Sequence, residues 1–437
     1  MSLLLNGIYA LLLFLLSPWL IYRTVFTGRY REGFAAKFWG QVPLRQGDRP
    51  CVWLHAVSVG EVNLVATLVK ELSRRRPEWQ CVVSTTTAAG YTLAQKRFPR
   101  QAVFYCPLDW SWATRRAMRR VRPAILVLAE LELWPNLVRA ARAQGAKVAV
   151  VNARLSQRSF KGYQRIRPLV RRLLAQINLI AVQNGEYADR FLALGADESR
   201  VHITGSMKFD GAEMDHRNPA TLRLAALAGF QPDDVVFLAG STQEPEEAAA
   251  IQAFQSLKNA HPRLRLVIVP RHPHRFDGVA KLLTDSGLRW QRRTELDVVG
   301  ADPQARVLLV DAVGELGAWW GTARIAFVGG SLGNRGGQNM IEPAAYGAAV
   351  SFGPSTRNFR DVVAAMLRAN AACEVQGAAG LTAFVRRCLE EPQFADALGR
   401  RAQALVRNQL GATARTVDLI DLLMPIAPCE QSVRRVA

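Results

Sequence analysis

Residues 327–343 read Phe-Val-Gly-Gly-Ser-Leu-Gly-Asn-Arg-Gly-Gly-Gln-Asn-Met-Ile-Glu-Pro, between an apolar, strand-like stretch and Ala-rich sequence of helical character. Because glycine lacks a Cβ atom, a backbone at such a turn can approach a ligand closely, and amides at the helix start can hold a phosphate. Glu342 is placed to accept hydrogen bonds from two sugar hydroxyls. A tight turn with a helix-start carboxylate would give the same pattern. The run therefore indicates either a nucleotide site or a plain strand-to-helix turn.

Short apolar, β-branched runs alternate with longer helical patterns along most of the chain, which is typical of parallel sheets built from βα units. In the first half, the predicted strands cover residues 51–57, 80–84, 103–105, 124–128, 147–151, 179–182 and 201–204. In the second half, they cover residues 235–239, 264–269, 307–310, 325–328 and 349–352. Ligands of such sheets bind at the carboxyl ends of the strands. We therefore predict an α/β protein with two Rossmann-like domains facing a cleft.

The length of the chain exceeds one ordinary hydrophobic core, so two domains are expected. The first is predicted over residues 50–212 and the second over 233–425, joined by an interdomain connection at 213–232. Residues 426–437 are predicted to form a tail.

The N-terminus is apolar, and residues 1–22 contain no charged side chain. About 20 helical residues span roughly 30 Å, the thickness of the hydrocarbon core of a bilayer. Neither a basic segment before the run nor a cleavage site after it indicates a signal peptide, so an uncleaved membrane anchor is predicted. The basic juxtamembrane segment, 23–49, holds Arg23, Arg29, Arg31 and Lys37 against Glu32, which places the rest of the chain on the cytoplasmic side of the inner membrane.

The net charge of +20 favours an anionic partner, such as lipid headgroups, a phosphorylated substrate or nucleic acid. The basic runs at 74–76, 115–120 and 165–172 have helical spacing and few aromatic residues, which indicates a solvated or membrane-facing surface, and no nucleic-acid motif is present. The six cysteines show no Cys-x-x-Cys spacing, so neither a disulfide framework nor a zinc site is predicted.

Acidic residues follow two of the predicted strands. Ser58-Val59-Gly60-Glu61 has the form of a capping box, in which Glu61 closes its own helix, and taken alone the motif favours that interpretation. A carboxylate facing the cleft there could instead act as a general base on an attacking hydroxyl. Glu130 and Glu132 precede a helix that starts near a proline, where the helix dipole favours acids. Paired carboxylates in one pocket can also have their pKa values pushed apart, which suits catalysis.

Cationic residues follow other predicted strands. Arg154 and Arg158 suit a phosphate or carboxylate on an acceptor, and Lys208 could stabilise anionic charge or pair with Asp210. Arg271 follows Pro270 at a strand end. His272 lacks a second ligand at metal-binding spacing, and the chain has no Asp-x-Asp triplet. Without a metal, Arg271 and the glycine-rich loop would hold the leaving phosphate.

Taken together and in order, these segments resemble the bacterial 3-deoxy-D-manno-octulosonic acid (Kdo) transferases of glycosyltransferase family 30, which move Kdo from CMP-Kdo to the lipid A precursor. The matching segments are the apolar N-terminus, Ser-Val-Gly-Glu at 58–61, Glu-Leu-Trp-Pro-Asn at 132–136, Asn-Ala-Arg-Leu-Ser at 152–156, Lys-Phe-Asp at 208–210, Pro-Arg-His-Pro at 270–273, Gly-Glu-Leu at 314–316 and Phe-Val-Gly-Gly-Ser-Leu at 327–332.

The resemblance implies a GT-B fold with the acceptor on the first domain and the nucleotide on the second. It implies that Glu61 is the general base and that Glu130 or Glu132, with Lys208, stabilises the transition state. It also implies that CMP is bound by Pro270, Arg271, Val313, Gly314, Glu315, Asn339, Met340, Ile341 and Glu342. No cofactor or metal is expected.

The chain departs from the family pattern in two respects. Gln243 and Gln338 stand where histidine is usual, which keeps hydrogen-bonding capacity but removes the option of positive charge. The segment at 85–90 is also altered, which bears on acceptor recognition.

The sequence therefore predicts an inverting, metal-independent transferase that moves Kdo from CMP-Kdo to the tetraacyldisaccharide lipid A precursor at the cytoplasmic membrane surface, without a nucleic-acid partner. Two alternatives remain: a GT-B transferase that uses a UDP-sugar on another lipid-linked acceptor, and a non-catalytic, membrane-anchored binding protein.

Overall fold

The computed structural model describes residues 2–27 and 32–424. The chain forms two compact units, of which the first comprises the chain up to Gly211 and again from Leu410 onward, and the second comprises Ala212–Gln409. Each unit contains one parallel sheet of seven strands with helices packed against it. The predicted tail at 426–437 and part of the basic segment, 28–31, lie outside the described residues.

The first sheet has the strand order β3-β2-β1-β4-β5-β6-β7, and every neighbouring pair is parallel. The order reverses direction beside β1, which is the kind of position where doubly wound sheets bind ligands. The strands are β1 Cys51–His55, β2 Gln80–Thr85, β3 Ala102–Tyr105, β4 Ile125–Ala129, β5 Lys147–Ala153, β6 Leu179–Val182 and β7 Val201–Ile203. All of the strands predicted in the first half are confirmed.

The helices of the first unit cover the sheet with apolar faces. In the helix at residues 59–75, Val62, Val65, Leu68 and Leu72 recur at helical spacing and are almost fully buried. The helices are α1 Ser2–Thr27, α2 Phe34–Trp39, α3 Val59–Arg75, α4 Ala88–Arg97, α5 Ser111–Val121, α6 Pro135–Ala143, α7 Gln157–Gln164, α8 Arg167–Leu174 and α9 Gly185–Ala193.

The second sheet has the order β10-β11-β9-β8-β12-β13-β14 and is also parallel throughout. Its strands are β8 Val235–Thr242, β9 Leu264–Pro270, β10 Trp290–Arg292, β11 Val307–Leu309, β12 Ile325–Val328, β13 Ala349–Phe352 and β14 Cys373–Glu374. The five predicted strands are confirmed, whereas β10 and β14 were not predicted. Both are very short edge strands that contain polar, partly exposed residues, so neither produces the apolar run on which prediction relies.

The helices of the second unit are α10 Pro219–Leu227, α11 Glu246–Leu257, α12 Phe276–Asp285, α13 Arg293–Val299, α14 Leu316–Trp319, α15 Ile341–Ala345, α16 Arg360–Arg368, α17 Gly377–Glu390 and α18 Pro392–Gln409. Helix α10 lies in the segment that was predicted as the interdomain connection.

The last helix, α19 (Ala412–Leu423), returns to the first unit, although residues 233–425 were grouped as one domain from the sequence. It packs against α3, and Val417 and Ile420 are fully buried in the core that α3 shares with the sheet. Its N-terminus is held by Asp210, whose carboxylate accepts hydrogen bonds from the backbone N–H groups of Gly411, at 2.7 Å, and Thr413.

The apolar N-terminus forms α1, which is held on the first unit by polar contacts. The Asn6 amide donates to the Ser111 hydroxyl at 2.8 Å, and the Tyr9 hydroxyl donates to the Asp109 carboxylate at 2.9 Å. Across the parts of the chain that the structure describes, no helix is long and apolar enough to cross a membrane. The membrane-spanning anchor predicted over residues 1–22 therefore finds no support here.

Candidate active site

Glu61 lies in the first turn of α3, directly after β1, and its side chain closes the helix start. Its carboxylate accepts from the Val57 backbone N–H and from the Ser58 hydroxyl, both at 2.9 Å, while Ser58 Oγ accepts from the Glu61 N–H. Glu61 is 8% exposed. Burial raises the pKa of its carboxyl group, although the bonds from Val57 and Ser58 work against that rise. The predicted capping box is therefore present. It also holds the partly desolvated Glu61 carboxylate in a fixed position just after β1.

Glu130 follows β4 with a left-handed backbone, φ 56°, which a residue with a side chain rarely adopts. Its carboxylate contacts two cationic side chains: Arg154 Nε donates to Oε2 at 2.7 Å, and Lys208 Nζ lies 3.2 Å from Oε1. Strain of this kind costs about 1–3 kcal/mol and collects at functional sites. The structure thus brings Glu130 and Lys208 together, as predicted for the pair, and adds Arg154, which we had assigned to an acceptor anion.

Glu132 lies two residues further on and has no such cationic partner among the described residues. The Trp134 indole N–H donates to its carboxylate at 3.0 Å. Burial, reinforced by the Glu61 and Glu130 carboxylates, raises the pKa of Glu132 to about 7. The three carboxylates therefore act on one another, and their environments differ in the way that separates acid from base roles.

Asn152 supports this cluster from β5, and its role was not predicted. It is fully buried with φ 52°, and its side-chain oxygen accepts from the Met207 N–H at 3.0 Å. That bond fixes the short turn at Met207–Phe209, which carries Lys208. Lys208 pairs with Glu130 and not with Asp210, because the Asp210 carboxylate caps α19. An asparagine at a strand end was the available signal, since asparagine tolerates the left-handed conformation.

In the second unit, the glycine-rich loop after β12 is organised by Glu246, the first residue of α11. Its carboxylate accepts four backbone N–H bonds, from Gln243 at 2.8 Å, Gly330 at 2.7 Å, Ser331 at 2.7 Å and Leu332 at 2.9 Å. Glu246 is 1% exposed. The backbone amides of Gly330, Ser331 and Leu332 belong to the loop that was predicted to hold a phosphate. They are instead bonded to a carboxylate of the same unit. This role of Glu246 was not predicted from the sequence.

Gly329 is required by packing within this loop. A Cβ atom on it would lie 2.6 Å from the Ser241 carbonyl oxygen and 2.6 Å from Thr242 Cα, both backbone atoms that cannot yield cheaply. Ser241 itself has φ 54°, at the irregular end of β8. The glycine pattern thus reflects close contact between two backbones as well as access for a ligand.

The segment Asn339–Glu342 forms the start of α15. The Asn339 amide donates to the Glu342 carboxylate at 2.9 Å and accepts from the Ile341 N–H at 3.1 Å. Burial raises the pKa of Glu342, and Arg271 opposes that rise, so these two predicted ligands lie within electrostatic reach of each other. Met340 and Ile341 are buried, so only their backbone can meet a ligand.

The remaining predicted nucleotide ligands lie in two separate segments, one after β9 and one before α14. Arg271 is exposed after Pro270, at the end of β9, and its backbone N–H donates to the Thr242 carbonyl at 3.0 Å. The Glu315 carboxylate is held by Arg293 through two bonds of 2.9 Å, while Val313 is 78% exposed and Gly314 has φ 94°. Within the described residues, no hydrogen bond or ion pair joins 313–315 to Arg271 or to 339–342.

Comparison with known proteins gives concordant matches. Residues 29–211 match the family model described as 3-deoxy-D-manno-octulosonic-acid transferase (kdotransferase). A 3-deoxy-D-manno-octulosonic acid transferase of Bordetella pertussis is 36% identical, covering 95% of this chain and 99% of the relative. Another, from Haemophilus influenzae, is 32% identical, covering 90% and 91% respectively.

Among solved structures, UDP-GlcNAc 2-epimerase from Neisseria meningitidis bound to UDP-GlcNAc superposes with a TM-score of 0.57 at 14% identity, covering 85% of this chain and 99% of that one. At that identity the likeness concerns the fold alone, which is of the GT-B type.

Proposed function

The chain belongs to the Kdo transferases, glycosyltransferases of lipopolysaccharide biosynthesis, and on that premise we propose that it transfers Kdo from CMP-Kdo to the tetraacyldisaccharide lipid A precursor. The observation that carries the proposal is the carboxylate cluster of the first unit. A desolvated Glu61 is held at a strand end, and Glu130 is paired with Lys208 and Arg154.

In the proposed reaction, Glu61 removes the proton from an acceptor hydroxyl. The oxygen then bonds to the anomeric carbon of Kdo as the bond from that carbon to the phosphate oxygen breaks, and CMP leaves with the electron pair. Attack opposite the leaving group inverts the configuration. A carboxyl group whose pKa is raised by burial suits a base near neutral pH.

Glu130 rather than Glu132 is the acid we assign to the transition state, together with Lys208. Its contact with two cations fixes their positions before the substrate arrives, and preorganised charge is the most effective stabiliser of developing charge. Glu132, whose pKa is about 7, is available as a proton reservoir beside the base.

We propose that CMP-Kdo is bound by the second unit, through Pro270 and Arg271, the stretch Val313–Gly314–Glu315 and the segment 339–342. Glu342, already oriented by Asn339, would accept from the ribose hydroxyls, and Arg271 would face the phosphate. We further propose that the reaction needs neither a metal nor a cofactor.

The location proposed for the enzyme is the cytoplasmic face of the inner membrane. Supporting this, α1 carries strongly exposed apolar side chains, including Phe14 at 75% and Leu15 at 64%, while Asn6 and Tyr9 bond to the body of the first unit. Exposed apolar surface on a helix beside a basic protein surface is typical of attachment to a bilayer surface.

The test is incubation of the detergent-solubilised protein with CMP-Kdo and the tetraacylated lipid A precursor in the presence of chelator, followed by mass spectrometry. A mass increase by one or more Kdo residues supports the proposal and counts the additions. Unchanged acceptor, with CMP bound, would refute the acceptor assignment. A protein that ignored CMP but bound UDP would refute the donor assignment.

A further inference from the structure

Three successive backbone N–H groups of the glycine-rich loop after β12 are unavailable to an anion. Glu246 takes the N–H groups of Gly330, Ser331 and Leu332, and the next backbone bond in the loop, from Gly337 to the Gly330 carbonyl at 2.7 Å, is internal as well. The charge of Glu246 is offset by four N–H dipoles, so the loop presents no strong negative field. An anionic ligand beside Gly330–Leu332 therefore needs donors other than these three amides, and side chains can supply them.

Two side-chain amides meet at Gly330 and supply such donors. A Cβ atom built on Gly330 would lie 3.2 Å from Gln338 Nε2 and 3.4 Å from Gln243 Nε2, so both amide groups lie beside one point of the loop. The two glutamines are partly exposed. In the described chain, neither amide makes a side-chain hydrogen bond to another residue. Two unsatisfied amides that converge in a partly buried place are available to a ligand.

The surroundings favour a negatively charged ligand. Gln243 directly follows β8 and Arg271 directly follows β9, and the Arg271 N–H donates to the Thr242 carbonyl where these neighbouring strands end. Burial lowers the pKa of His272, and Arg271, His274 and Arg335 lower it further, so two arginines lie near this residue.

We propose that Gln243 and Gln338 form a paired amide site that binds anionic oxygens of the sugar donor and determines donor affinity. This rests on the proposed function, because the donor CMP-Kdo carries such oxygens at two places, the nucleotide phosphate and the carboxylate of the sugar acid. Amide N–H groups near Arg271 would bind these oxygens through directional hydrogen bonds. Because an amide does not titrate, this binding would not depend on the protonation state of the pair. Gly330, at φ 67°, keeps the approach to both amides open.

The experiment compares Gln243→Ala, Gln338→Ala and the double variant with Gln252→Ala, a control on the exposed face of α11 in the same domain. Binding of CMP and of cytidine is measured by calorimetry, and KM for CMP-Kdo by transfer assay. Each single change should weaken donor binding about tenfold, since a hydrogen bond to a charged group is lost. Because both amides meet one oxygen group, the two effects should not be additive.

These measurements distinguish the two anionic groups of the donor, the nucleotide phosphate and the sugar carboxylate. Weaker CMP binding with unchanged cytidine binding assigns the pair to the phosphate. Unchanged CMP binding with a raised KM for CMP-Kdo assigns it to the sugar carboxylate. Equal CMP binding and equal KM in the wild type and the double variant would overturn the proposal.

A second variant guards against misfolding. Gln338→Glu keeps the size of the side chain and replaces its donor by a negative charge, so donor binding should fall at least as far as in Gln338→Ala, at an unchanged thermal midpoint. Donor binding equal to wild type would also overturn the proposal. Failure of wild-type transfer would refute the proposed function while leaving the CMP and cytidine titrations informative.

Discussion

The buried carboxylates of the two units differ in what lies around them. In the first unit, Glu61, Glu130 and Glu132 lie near enough to affect one another, and burial and mutual repulsion raise the pKa of Glu132. In the second unit, Glu246 is saturated by four backbone N–H bonds and Glu315 by a two-bond contact with Arg293. Glu132, whose pKa is about 7, can exchange a proton near neutral pH, whereas Glu246 holds a loop in place. The comparison supports our proposal that the first unit supplies the catalytic groups and the second binds the donor.

The strongest challenge to this division is Glu61→Gln. Loss of the proposed base should lower kcat about a thousandfold, within the range for general-base catalysis, and leave CMP binding unchanged because the proposed donor ligands lie in the other unit. Glu71→Gln on the same helix, where the carboxylate only pairs with Arg74 and Arg75, is the control and should keep full activity. Turnover retained in Glu61→Gln would remove the base assignment.

Lys208→Met tests the charge-stabilising part of the first unit. Removing a preorganised cation should lower kcat about a hundredfold with little change in the donor KM. Lys147→Met, an exposed lysine at the start of β5, serves as control. An effect on KM alone would mean that Lys208 binds substrate in its ground state, which would weaken the comparison.

Glu246→Gln examines the saturated carboxylate of the second unit. A neutral amide cannot accept four N–H bonds, so the loop should loosen, the donor KM should rise about tenfold, and the free energy of unfolding should fall by about 1–3 kcal/mol. Denaturant unfolding and steady-state kinetics measure both effects. Glu244→Gln, at a side chain 79% exposed, should change neither. A drop in kcat without a change in KM would contradict the recognition role.

The smallest expected effect concerns pH and Glu132. Its pKa rises from 4.5 to about 7 on folding, so the folded state binds the proton more tightly and this contribution to stability is full below pH 4.5 and is lost as pH rises through 7. Glu132→Gln should remove about 1 kcal/mol of that pH dependence, a value reduced for solvent contact. Urea unfolding at pH 5 and pH 8 measures it, and an unchanged pH dependence would show that Glu132 is not desolvated.

Local patterns predicted the strands and the strand-end acids well, because alternating apolar runs and capping signals are short-range properties. The Ser58–Glu61 cap followed from a local motif, whereas the association of Lys208 with Glu130 or Glu132 was implied only by the family resemblance. The bonds of Glu246 to the loop followed from neither, since they join residues more than 80 positions apart. Nor does any local pattern reveal that α19 packs on α3, because both helices are simply amphipathic in sequence.

The return of α19 has a consequence for how the protein is made. The ribosome completes the first sheet by Gly211, but the helix that closes its core begins after Leu410, roughly 200 residues later. At 5–20 residues per second, the nascent first unit waits about ten to forty seconds with α3 uncovered and with the Asp210 carboxylate lacking the amides of Gly411 and Thr413. The core of the first unit can therefore close only after the second unit has been synthesised.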